Sequence, residues 1–350
     1  MDLGLPSFTV TLKAADEDDP QLLITCSKDG VAESPCKRTF SEFERLHAHL
    51  SATYPDSIVP ALPRRVTQLQ ITEIRLGEFL NSVFGNERLR RSEVLGLFLD
   101  RTQFAFAPPA PVARRNQSSL FSGLMPNPQT KEIDSFFVSA AAETTYFQSQ
   151  CGRWGKLDEQ LSCLVQENGR LSMDFGTKLG QFMETASDRL PGSLWKIAKM
   201  LQKADDVECE FYRQHGETWL YYQRKAQAVN SVLSHRMQVL GAYEMCCKIT
   251  QKKILAMEKL KSSTSIRAEK VDMALSELSE AKKIEAEARD SLKTVSQQLR
   301  QDFTAHTESW DRIMNEHIGR LAQKCLEYAR YQTATVGCIL DELNHGPLIA

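Results

Sequence analysis

Proline is distributed unevenly along this chain, and that constrains its fold more than any other feature. Eleven of its 13 prolines lie at or before Pro128, and beyond it stand only Pro191 and Pro347. Inside a helix proline costs about 3 kcal/mol, because it lacks an amide hydrogen and its ring collides with the preceding turn. A stretch of more than 200 residues with one internal proline can therefore be almost continuous helix. The apolar pattern agrees. Trp154, Leu157, Leu161 and Leu164 step by three and four, as do Ala288, Leu292, Val295 and Leu299 further on, with Leu278 and Ala281 one heptad before them. Such steps make the seam of a coiled coil.

Two breaks interrupt the pattern. One is "SDRLPGS", where Pro191 and Gly192 stop the first helix; the other is "KSSTS" (261–265), where Ser265 can cap the next. The spacing predicts three helices of roughly 60 to 80 residues, on the order of 90 to 120 Å each. Helices of that length predict an elongated antiparallel three-helix coiled coil. Its apolar faces are wider than a two-position seam, so further burial in a dimer is expected. Glycines 152, 155, 169, 176 and 180 fall in the first helix, where they let it bend or let a neighbour approach closely. A curved rod is the expected form.

The first hundred residues follow different rules. "SFTVTLKA" (7–14) and "QLLITCS" (21–27) alternate as strands do, and "SPCKRTF" (34–40) reads as a third. The period then changes. "SEFERLHAHL" (41–50) sets Phe43, Leu46, His47 and Leu50 on one face, with Ser41 as its N-cap. Two more short helices are expected in 71–84 and 92–99, giving an α+β module with a three-stranded antiparallel sheet. Residues 101 to 130 join the halves. "FAPPAPVARRNQSS" has linker composition. In "SLFSGLM" (119–125), Leu120, Phe121, Leu124 and Met125 form one apolar helix face behind Arg114 and Arg115. That piece either lies at a membrane interface or packs on a neighbouring domain.

Composition removes several functions. Apolar content of 42% and charged content of 25% are those of an ordinary soluble protein. A net charge of -2 excludes a globally basic nucleic-acid binder, so any attraction to phosphates must be local. No apolar run reaches the roughly 20 residues that span a bilayer, and the start "MDLGLPSFTV" does not read as a signal peptide. The nine cysteines show no CxxC spacing, which predicts reduced thiols in a cytosolic setting, with the adjacent Cys246 and Cys247 structural. No Gly-rich phosphate loop, GxSxG or HExxH is present and the seven histidines are dispersed, so no enzyme, metal or cofactor is expected. His47 and His49 read as packing or surface residues, and His317 falls on the coiled-coil stripe.

"KRTFSEF" (37–43) and "VPALP" (59–63), followed by a three-helix coiled coil, resemble the PX-BAR sorting nexins over nearly the whole chain. The first motif is similar to that family's basic-aromatic element and the second to its PxxP element. Together with "RLRRSEVLGLFL" (88–99) they most resemble the fungal Vps seventeen-type sorting nexins. The resemblance implies a PX domain at 1–105, a linker with a short amphipathic helix at 106–130, and an all-α BAR domain at 131–346. It implies a membrane adaptor that dimerises through its BAR domain and remodels endosomal tubules. That work serves retromer-linked retrograde endosome-to-Golgi transport. The implied partners are anionic membranes, phosphatidylinositol 3-phosphate among their lipids, a Vps five-type heterodimer partner or a second copy, and the retromer complex. The implied location is cytoplasmic, peripheral on endosome membranes. A coiled-coil scaffold or tether without curvature activity is the other reading of the same helices.

The motifs depart from the family at the headgroup pocket. Thr39 stands where the family has the Arg that pairs with the 3-phosphate; Arg38, one residue earlier, points to the opposite face of a strand. Thr72 occupies a second usual Arg position, with Arg75 the nearest cation, and the loop "RRVTQLQ" is short. Arg65 stands where the family often has a basic residue near the 1-phosphate. Arg38, Phe40, Arg64, Arg65 and Arg75 are the candidate lipid contacts. Alternatively Phe40 and Phe43 are core, and the arginines supply an unselective attraction of about 1 kcal/mol each.

A second basic region lies in the helical half. From Lys252 to Lys270, the six cations Lys252, Lys253, Lys259, Lys261, Arg267 and Lys270 outnumber the two acids Glu258 and Glu269, a local +4. The resemblance makes this a rod tip in contact with lipid. Lys196, Lys199 and Lys203 share a helix face that would line a concave surface. Several weak contacts on one dimer add up to firm membrane attachment.

Overall fold

The computed structural model describes residues 7–14, 19, 21–28, 31–32, 35–65, 69–100, 106, 130–184, 190–262 and 268–345. Strands β1 (Ser7–Ala14) and β2 (Gln21–Lys28) form an antiparallel ladder with Phe8 opposite Cys26 and Val10 opposite Ile24. The other edge of β2 pairs with β3 (Val31–Ala32) and then β4 (Cys36–Thr39), so the sheet is three ribbons wide, as expected. Helices α1 (Phe40–Thr53), α2 (Leu69–Gly85), α3 (Glu87–Arg90) and α4 (Glu93–Leu99) complete the module. Its core joins Phe8, Val10, Leu22 and Ile24 of the sheet to Phe43 and Leu46 of α1 and Phe79 and Leu80 of α2. The Phe43 ring meets the Phe98 ring edge-on at 5.0 Å, and Phe98 meets Phe106 at 5.1 Å. Phe106, which composition assigns to the linker, is a buried core residue.

Three long helices follow: α5 (Ser135–Glu184), α6 (Leu190–Lys261) and α7 (Ala268–His345), of 50, 72 and 78 residues. The first is shorter than the periodicity suggests. Pro191 does not end α5 but sits in the first turn of α6, where its missing amide hydrogen costs nothing. Ser265 and the amphipathic segment 119–125 lie outside the described residues.

The chain forms two compact units, Met1–Tyr146 with Arg224–His306, and Phe147–Gln223 with Thr307–Ala350. In the first unit, Ile58 of the α/β module enters an apolar cluster of Phe137, Ala140, Val229, Val232, Leu233 and Leu299. The backbone N–H of Ile58 donates to the Asp302 carboxylate at 3.4 Å. Arg236 lies 3.6 Å from the centre of the Phe137 ring and pairs with Glu132, while Arg300 pairs with Asp134. These contacts fasten the start of α5 to α6 and α7.

In the second unit Cys151, Trp219 and Tyr222 form the core, and the Trp154 and Trp219 rings lie 4.5 Å apart. Here the glycines serve close approach. A Cβ on Gly216 would lie 3.1 Å from Asp158 Cβ and 3.3 Å from the Gly155 carbonyl, so α5 and α6 cross backbone to backbone. Gly216→Val should cost about 1–3 kcal/mol by overpacking this crossing. A Cβ on Gly319 would meet nothing within 4 Å, so Gly319→Ala should be neutral or stabilising by up to about 1 kcal/mol. Thermal melts followed by helical circular dichroism compare the two.

Candidate membrane-facing site

The turn from β4 into α1 carries the motif "KRTF". Burial alternates along β4, with Cys36 and Arg38 buried, Lys37 exposed and Thr39 intermediate. Thr39, not Ser41, is the N-cap. Its hydroxyl accepts from the Glu42 N–H at 3.4 Å, and Glu42 accepts from the Thr39 N–H at 2.7 Å, a reciprocal capping box. Glu42 also accepts from the buried N–H of Phe106. Starting the helix at Phe40 places both Phe40 and Phe43 in the core.

Arg38 is 2% exposed. Its guanidinium donates to the carbonyls of Phe98 at 2.7 Å, Asp100 at 2.7 Å and Lys37 at 2.6 Å. It thus satisfies carbonyls at the end of α4 that the helix leaves without partners. Arg75 is also buried and pairs with Glu78 at 2.9 Å. Lys225 of α6 belongs to the same charged neighbourhood. Burial lowers Lys225 to about 8, with Glu78 opposing and Arg75 adding to the shift. Nearby His306 falls to about 4 through burial and the charge of Lys225. Thr72, on the same helix, is buried. Among the expected lipid contacts, then, Arg38 lies in the core and Arg75 in a buried polar cluster.

Phe40 and Arg65 do come together. The guanidinium carbon of Arg65 lies 5.2 Å from the centre of the Phe40 ring. Arg65 Nη2 donates to Ser41 Oγ at 2.6 Å and to Glu44 Oε2 at 3.0 Å, and Asp19 Oδ1 is 3.9 Å away. Asp19 Oδ1 also accepts from the Ser41 N–H at 3.0 Å. Burial pushes the Asp19 carboxyl up, but the N–H and hydroxyl of Ser41, the Thr39 hydroxyl and the Arg65 charge together hold it below its ordinary value. Arg64 is exposed beside this group. Sequence reasoning missed Asp19 and Glu44. A signal for Glu44 existed, because Ser41 and Glu44 have the same capping-box spacing as Thr39 and Glu42. Only one pair can cap, and the other is left to bind Arg65.

At the junction of α6 and α7, Lys252, Lys259, Lys261 and Lys270 are exposed. Lys253 is paired with Glu277, and Arg267 lies outside the described residues. Exposed Leu255, Met273 and Leu275 stand among these lysines. In the second unit Lys199 and Lys203 are exposed; the side chains of Lys196 and His317 lie outside the described residues, as do Leu120, Phe121, Leu124 and Met125. No described helix is long and apolar enough to cross a membrane.

The second unit exposes a stripe along α5. Trp154, Leu157, Leu161, Leu164, Leu171 and Phe175 are all exposed, Leu164 and Phe175 at 67% each. With Asn168 they alternate steps of three and four, a coiled-coil seam that touches α6 through Trp154 and Asn168 yet leaves its apolar side chains largely exposed. On α7, Ile318, Leu326, Val336 and Leu340 are exposed too.

Comparison with known proteins fits this architecture. Residues 27–102 match the PX domain model. The vacuolar protein sorting-associated protein 17 of Schizosaccharomyces pombe is 21% identical over 318 residues. That match takes in 84% of this chain, which spans 56% of the relative's length. The cryo-EM structure of the SNX-BAR Mvp1 tetramer aligns with 97% of this chain and 99% of its own, at a TM-score of 0.57 and 16% identity. The Hof1p F-BAR domain aligns with 62% of this chain and 90% of its own, at 13% identity and a TM-score of 0.33, too low to carry an argument. A segment that matches the PX domain model, followed by three long helices and with the fold of an SNX-BAR protein along nearly its whole length, makes this chain similar to the PX-BAR proteins, vacuolar protein sorting-associated protein 17 among its relatives.

Proposed function

We propose that the chain is a dimeric membrane adaptor of the sorting-nexin type. It dimerises through its long helices and holds anionic membrane by charge spread over several places. The observation that carries the reading is the largely exposed apolar seam from Leu157 to Phe175, which asks for a second BAR-type helix set. The partner is a second copy or a Vps five-type sorting nexin. The relative's name, vacuolar protein sorting, supports work in endosomal transport. We place the chain peripherally on the cytoplasmic side of endosomes, with retromer as its associate and tubule remodelling as its activity.

Membrane affinity in this reading comes mainly from the lysines at the α6–α7 junction, with Lys199, Lys203 and Arg64 adding to it. Each cation near an anionic surface contributes about 1 kcal/mol, and a dimer doubles every contact. Reversing Lys252, Lys259 and Lys261 to Glu should reduce binding to phosphatidylserine vesicles at least about a hundredfold. Flotation at physiological salt measures it. Unchanged flotation would remove this region from the membrane contact. A dimer that floats with no anionic vesicle would favour the tether reading.

A further inference from the structure

We propose that Glu44 and Asp19 hold Arg65 across the face of Phe40 as an internal substitute for a phosphomonoester, so that these two carboxylates set the PX module's response to headgroups. The inference rests on the membrane-adaptor reading and adds a closing contact to it.

Three groups that would bind a phosphate oxygen meet beside Phe40. They are the Arg65 guanidinium, the Ser41 hydroxyl and the Ser41 backbone N–H. A charged donor, a hydroxyl and a main-chain N–H converging on one spot suit an anion. All three are already engaged. Arg65 bonds Glu44 at 3.0 Å and Ser41 Oγ at 2.6 Å, and the Ser41 N–H bonds Asp19 at 3.0 Å. The guanidinium also covers the aromatic face, 5.2 Å from the ring centre. The anion here is carboxylate from the chain itself, and Arg38, the cation that precedes it in sequence, is buried under α4.

The contact is built to yield. The Arg65 side chain is 42% exposed, with Glu44 at 52% and Asp19 at 33%. Ion pairs so open to water are weak and are screened further by salt. Removing the carboxylate charges should release Arg65 and the Ser41 donors together.

The test uses the full chain and two vesicle types matched in charge, one with phosphatidylserine and one with phosphatidylinositol 3-phosphate. The wild type should float equally on both. Asp19→Asn with Glu44→Gln should gain about fivefold on the phosphoinositide vesicles over the phosphatidylserine vesicles, the equivalent of one released cation. The gain should vanish when Arg65→Gln is added, and excess soluble inositol 1,3-bisphosphate should strip it. Equal gain on both vesicles, a gain that survives Arg65→Gln, one that resists the soluble headgroup, or wild-type selectivity for the phosphoinositide would each overturn the proposal. If the wild type floats on neither vesicle, the adaptor reading fails instead. Titrating soluble headgroup into the wild type and the double variant then still decides the contact, with tighter binding by the variant supporting it and equal binding overturning it. Glu44→Gln alone, far out on the α1 surface, serves if the double variant melts early.

Discussion

Arg38→Ala should destabilise the PX module by about 3–5 kcal/mol, the cost of breaking a buried hydrogen-bonded charge site. The guanidinium is the charged donor that ties β4 to the carbonyls of Phe98 and Asp100, some 60 residues on in the chain, beside the weaker Cys36 thiol at 3.6 and 4.0 Å. Alanine would take the charged donor from those acceptors, leaving them the weak Cys36 thiol, and open a cavity beside the Phe98 ring, whose centre lies 5.6 Å from the guanidinium carbon. The four tryptophans all lie in the long-helix region, so hydrogen exchange reports this loss better than fluorescence. The slowest amides of α1 and α2 should exchange on the order of a hundred- to a thousandfold faster. Lys37→Ala, at the exposed neighbouring position, should change exchange by less than about 0.5 kcal/mol. If Arg38→Ala left exchange unchanged but weakened flotation selectively on phosphoinositide vesicles, Arg38 would be a headgroup ligand after all.

Much of this was legible in sequence, and what was hidden has one physical cause. Periodicity and the shortage of proline announce three long helices because both act within a few residues. The alternation of β4 correctly sets Arg38 and Thr39 on opposite faces. The N-cap was ambiguous because "TFSE" and "SEFE" are overlapping capping boxes. Burial of Phe40 and Phe43 against Phe79 and Phe98 selects the first, and those partners lie far along the chain. The fates of the arginines were hidden for the same reason. Nothing near Arg38 in sequence shows that α4 will end above it. Nothing near Arg65 shows that Asp19 and Glu44 will reach it. Local grammar gave the elements and the motif, while long-range packing decided which cations remain available to a membrane.

Leu164→Glu with Phe175→Glu should convert the chain from a dimer to a monomer at micromolar concentration while leaving its helicity intact. Both side chains are 67% exposed in the single chain, so neither change disturbs a packed core. Burying each at a partner is worth about 1.5–3 kcal/mol. In a two-fold interface each substitution occurs twice, so about 6–12 kcal/mol is lost before the burial of four carboxylates is counted. The dissociation constant should rise by more than about ten-thousandfold. Sedimentation equilibrium of the purified chain measures it, with a wild-type monomer sinking the dimer reading outright. Asn168 sharpens the case. It holds the fifth of seven seam positions, where a polar residue costs stability but fixes register, and its amide donates to Asp205 at 3.4 Å. That bond sets α5 in register with α6 of the same chain, and the exposed apolar positions on either side of it, Leu164 and Leu171 nearest, remain for a partner's helix to cover.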